Sequence, residues 1–164
     1  MLRDGVSMGI MEAQTLRLPL SRWVFQVRRD GCWRELSSEQ YEDELSGRFE
    51  PPPHEWVAPT ALFRINARAQ WAPGTRPAES TWWLLYGNVG DDTPVRVALA
   101  DGQQPVVLTF GPLWLCEWVS KWQAAVVSIG QTSVPVFDRT AAHPASLRQR
   151  STTPTAEGPL IVVR

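Results

Sequence analysis

Over residues 22–137 the chain is a succession of short apolar or alternating runs, each cut off within a few residues by Gly, Pro or an Asp-Gly pair. Runs this brief are poor helices and suit strands, whose residues point alternately to opposite faces. Trp23, Phe25 and Val27 share one face of the run 22–28, and Asp30-Gly31 then turns the chain back through Trp33 to Leu36. An Asp-Gly pair accepts the positive φ of a tight turn, so a hairpin is expected here. Residues 95–99 and 106–110 flank Asp101-Gly102 and predict a second hairpin of the same kind, while 124–129 and 134–137 add two further strand-like runs. The expected fold is mainly β, an antiparallel β-sandwich or barrel-like domain with one short helix.

Three runs carry most of the argument. In 61–71, Ala61, Phe63, Ile65, Ala67, Ala69 and Trp71 alternate with Leu62, Arg64, Asn66, Arg68 and Gln70, which predicts one core face and one solvated face. Run 81–86 is apolar on both faces, as in a central strand covered on both sides or one whose outer Trp serves an interface. Run 113–122 holds three of the nine Trp and one of the two Cys. With a period of two, Trp114, Cys116, Trp118, Ser120 and Trp122 share a face; with a helical period the same three Trp also align. The Gly111-Pro112 turn before it and the β-branched run after it favour a strand. In that register the Trp and Cys116 form a core seam, with Glu117 and Lys121 on the wet side. A helix over 113–122 would make the fold α+β instead.

Ser37 or Ser38 can cap a short helix over 39–45, ended by Gly47, because a serine oxygen accepts a first-turn amide and early acids suit the helix dipole. The surrounding carboxylates Glu35, Glu39, Glu42, Asp43, Glu44 and Glu50 lack the alternating ligands and turn glycine of a calcium loop, so a solvated face is the simpler reading. Pro51-Pro52-Pro53 makes 49–59 an extended connection that sets Trp56 over the core. The glycines of 87–94 lack phosphate-cradling spacing. No pattern calls for a cofactor or a metal. By composition, 1–14 is a flexible tail, 15–139 a single β-rich domain and 140–164 a mostly flexible tail, with Leu160-Ile161-Val162-Val163 returning to its own sheet or adding to a partner's edge.

A net charge of −1 argues against a nucleic-acid partner, which calls for excess Lys and Arg. Cys32 and Cys116 lie far apart without metal spacing and are expected as reduced thiols. No apolar stretch approaches the roughly 20 residues of a membrane span, and the absence of an export signal places the chain in the cytoplasm.

Three functional readings follow. A cysteine-dependent enzyme would use Cys116 as nucleophile, His54 or His143 as base and Asp138 to orient it, but apolar neighbours would raise the thiol pKa rather than lower it. A small-molecule or carbohydrate-binding module would stack its ligand on exposed rings among Trp71, Trp82, Trp83, Trp114 and Trp118. The reading favoured by the sequence is a noncatalytic protein-interaction or assembly subunit, binding a protein partner or self-associating, with Trp71, Trp82, Trp83, Arg64 and Arg68 as contact residues.

Overall fold

The computed structural model describes residues 12–48, 55–59, 65–70, 79–90 and 92–137, and the backbone of Ile161–Val163. These form three antiparallel sheets and one short helix. Strands β1 (Ala13–Arg17), β2 (Val24–Arg28) and β3 (Trp33–Leu36) make the first sheet; helix α1 (Ser38–Leu45) follows. The central sheet runs in the order β11 (Ile161–Val163), β4 (Ile65–Ala69), β5 (Thr81–Asn88), β8 (Leu113–Ser120), β7 (Val107–Phe110). The third sheet is β10 (Thr132–Val136), β9 (Ala125–Ile129), β6 (Val95–Leu99).

Alternation along the central strands explains the layering. On one face Ile65, Ala67, Trp83, Leu85, Trp114, Cys116 and Trp118 pack against Val97, Leu99, Val127 and Ile129 of the third sheet. On the other, Leu84, Tyr86, Leu113 and Leu115 pack against Trp23, Phe25, Val27 and Trp33 of the first sheet. The central sheet is therefore covered on both sides in a sandwich-like stack, and no sheet closes into a barrel among the described residues. The 81–86 run is a central strand, as its two apolar faces predict, and residues 113–120 of the 113–122 run form strand β8 rather than a helix.

Turn chemistry places the elements. In the β2–β3 hairpin Asp30 accepts the Cys32 amide at 3.0 Å and the Arg28 guanidinium at 2.5 Å, while Gly31 takes φ +81°. Ser37 caps α1: its hydroxyl accepts the Gln40 amide at 3.1 Å and its own amide donates to the Gln40 side chain at 2.9 Å, a reciprocal pair that satisfies two orphan donors. At Gly111, φ is +57° and a Cβ would meet Val27 Cγ1 at 2.8 Å, so only glycine lets the β7–β8 turn slip beneath the first sheet.

Three expectations are corrected. Asp101-Gly102 does make a turn, with the Gly102 amide donating to Leu99, yet β6 and β7 do not form a hairpin: β6 pairs with β9 and β7 with β8. The chain changes sheets there, and Pro105, with no amide hydrogen to donate, suits a crossing segment rather than a ladder. At Asn66 and Arg68 the polar face of the 61–71 run is not solvated, because the first sheet lies over it there and buries Asn66 and most of Arg68, while Gln70 is exposed. Ala13 and Gln14, expected in a tail, begin β1. The 160–163 run has its last three residues in β11, paired with β4 of its own chain.

Candidate functional site

Of the five contact residues expected from the sequence, Arg64 and Trp71 lie outside the described residues. Trp83 is 1% exposed in the seam facing the third sheet, where its ring nitrogen donates to the Ser120 carbonyl at 3.0 Å and its ring lies near-parallel to that of Trp118. It is therefore a core residue, not a contact residue. Trp82 is half-buried against the cluster beneath the first sheet. None of the described Trp is exposed: Trp114 and Trp118 are buried in the seam, Trp23 and Trp33 lie beneath the first sheet, and Trp56 and Trp122 are half-buried. Among the described residues there is thus no open aromatic platform for a sugar or a base.

Arg68 is the residue around which polar groups converge. The β4 alternation that sends Ile65, Ala67 and Ala69 into the seam sends Arg68 towards the first sheet, where β3 supplies Glu35. Arg68 Nη2 donates to Glu35 Oε1 at 2.9 Å, and Nε lies 3.4 Å from both Glu35 Oε2 and the Tyr86 hydroxyl. The guanidinium also sits 3.7 Å from the centre of the Trp23 ring, a favourable position for a desolvated cation. Burial works against the Arg68 charge, but the Glu35 carboxylate and the Tyr86 oxygen more than offset it and push its pKa up. Burial and then Glu35 push the Tyr86 pKa well above its usual value, against the opposing pull of Arg68. A cation so engaged is largely withdrawn from solvent and already paired with Glu35, and a phenol held neutral is no base. The cluster is built to hold two sheets together rather than to meet phosphate or to move a proton.

Two further polar contacts were invisible in the sequence. Glu117, expected on the wet side, is half-buried, and its two carboxylate oxygens accept the amides of Leu20 and Ser21, each at 2.9 Å. That clamp fixes the bend before β2, where Arg22 takes a φ of +64°, a conformation rare outside glycine. Arg96 lies exposed on β6, opposite Ser128 of β9. On the outer side of the first sheet, buried Arg34 donates to Gln26 Oε1 at 2.7 Å and pairs with Glu44 of α1. Trp56 packs there under the Arg34 and Arg28 guanidiniums, 4.7 and 5.2 Å from its ring centre, rather than over a core. No sequence rule assigns such partners across 8 to 97 positions.

The nucleophile expectation meets the same obstacle as the stacking one. Cys116 is 1% exposed, and its desolvation, with the Glu117 charge adding to it, pushes the thiol up to about 12. The thiolate that catalysis requires is absent near neutral pH. His54, His143 and Asp138 lie outside the described residues.

One apolar feature of the surface is a sheet edge. Strand β7 has β8 on one side and no partner on the other among the described residues. The register Leu108↔Leu115 puts Leu108 on the same face as Val119, and extending it by one residue beyond Val107↔Cys116 places Val106 opposite Glu117 on that face too. Val106 is 75% exposed, and Leu108 and Val119 are also exposed. Among the described residues no group of His, Cys, Asp and Glu is arranged to hold a metal ion, and no helix is long and apolar enough to cross a membrane. Compared with known proteins, the chain matches no family model, no curated protein and no solved structure.

Proposed function

We propose that the protein is a noncatalytic protein-interaction or assembly subunit that takes its partner along the β7 edge of the central sheet. The observation that supports this reading is the coincidence of an unpaired strand edge with exposed Val106, Leu108 and Val119. An open edge offers a row of amides and carbonyls to an extended segment, and apolar side chains beside it give that segment something to bury. The stacking and nucleophile alternatives find less support among the described residues, because every described Trp is buried or half-buried and Cys116 is buried as a neutral thiol.

The test compares the native chain with Val106→Lys/Leu108→Lys in affinity capture from the source cells followed by native mass spectrometry. A partner held by the native chain and lost from the variant, with unfolding midpoints unchanged, is the expected result. A native chain that stays monomeric and retains nothing overturns the reading, as does a partner held equally by both.

A further inference from the structure

The opposite edge of the same sheet is closed by a strand that is short and tethered from far away. β11 contributes three residues, with Ile161, Val162 and Val163 opposite Ala67, Asn66 and Ile65. In sequence it is separated from β10 by 24 residues, 137–160, the longest interval between consecutive elements of the fold. At up to roughly 3.3–3.6 Å per residue, such a connection can carry β11 far beyond its own β4. We propose that the β4 edge is a strand-acceptor site whose second occupant is β11 of another copy of this chain, so that two copies associate by exchanging this strand.

The energetics rest on sameness. A swapped β11 makes the same ladder in the same register, so exchange gains and loses no strand pairing, and the balance is set by protein concentration against the effective concentration of the tethered strand. Where a linker is flexible, that concentration is on the order of millimolar or lower and falls as the linker lengthens. Three ladder residues also put β11 at the low-stability end of the fold, where local opening is easiest. When β11 leaves, β4 presents a bare edge whose alternate residues Ile65, Ala67 and Ala69 are already anchored in the seam, a preformed template for an incoming strand. This site lies across the sheet from β7, so its test reports on the β4 edge alone.

The experiment places one half of a cross-link on each of two copies. In a Cys32→Ser background, Asn66→Cys and Val162→Cys are made in separate chains, mixed at high concentration and oxidised; directly opposed antiparallel partners fall within disulfide reach. The expected product is a covalent dimer at twice the 18.4 kDa chain mass, with a yield that rises with concentration and is absent from either variant alone. A same-chain double variant that closes its own disulfide while the mixture gives no dimer overturns the proposal; so does a failure of both to cross-link. Because Asn66 is buried and its replacement can weaken the fold, an unmodified chain is compared with one lacking 161–163 by native mass spectrometry. The dimer fraction should fall at least about tenfold on deletion, a change of roughly 1.4 kcal/mol in association. An unchanged fraction, or no dimer from the native chain at millimolar concentration, overturns it as well.

Discussion

The two faces of the central sheet are closed in different ways. Towards the third sheet the contact is made by Trp83, Trp114, Trp118 and Cys116 against Val, Leu and Ile, so that face holds by area and shape. Towards the first sheet, Phe25, Trp33, Leu84 and Leu115 are joined by the Arg68–Glu35–Tyr86 cluster and by the Glu117 clamp on the Leu20 and Ser21 amides. Apolar contacts tolerate sliding; a two-point carboxylate clamp and a guanidinium held between a carboxylate, a phenol and a ring do not. The comparison assigns stability to the first face and the seating of the outer sheet to the second.

The sharpest way to break this contrast is to truncate the apolar seam. Trp114→Ala should cost about 3–5 kcal/mol in denaturant unfolding, the range for emptying a buried large aromatic. A loss below about 1 kcal/mol would show that the seam is not the main store of stability. Arg68→Met should cost about 2–3 kcal/mol, below the roughly 3–5 of a fully buried broken pair because Glu35 retains 22% exposure, and the loss comes from stranding that carboxylate. Adding Glu35→Gln should recover more than half of it; strictly additive losses would mean the two residues act independently.

The phenol sharpens the comparison through pH. Tyr86 is an acid whose folded pKa is raised above 10.0, so above that value the unfolded chain gives up this proton while the folded chain keeps it, and stability falls as pH rises. The contribution is absent below pH 10 and grows by up to about 1.4 kcal/mol per pH unit above it. Tyr86→Phe should therefore flatten the alkaline limb of the stability curve, measured from pH 9 to 12. An unchanged limb would place the alkaline loss elsewhere. The smallest effect belongs to the clamp: Glu117→Gln keeps one acceptor of two and should cost about 1 kcal/mol, with faster hydrogen exchange at the Leu20 and Ser21 amides as its signature. Protection unchanged at those two amides would remove the clamp from the argument.

Much of the fold was legible locally. The β2–β3 hairpin followed from Asp30-Gly31, the helix from Ser37, the central position of β5 from its two apolar faces, and the Trp114–Cys116–Trp118 seam from a period of two. The candidate surface was less so. Arg68 stood out as an outward cation and proved to be the centre of a buried cluster, and Trp83, marked for contact, is core. Val106 and Leu108 were read only as parts of a hairpin arm, because whether a strand is an edge depends on what pairs with it.

Periodicity, turn preference and capping are interactions over a few residues, and through them the sequence by itself determined where strands begin, which residues share a face and where the chain reverses. Layering and pairing are contacts over tens of residues, with no local signal to announce them. Only the tertiary structure decided that the first sheet covers Asn66 and Arg68, that Glu117 holds amides 96 and 97 positions away, and that β6 and β7 part into different sheets. The same distinction separates the two edges of the central sheet: alternation could identify β4 and β7 as strands, but their neighbours in space capped one with β11 and, among the described residues, left the other open.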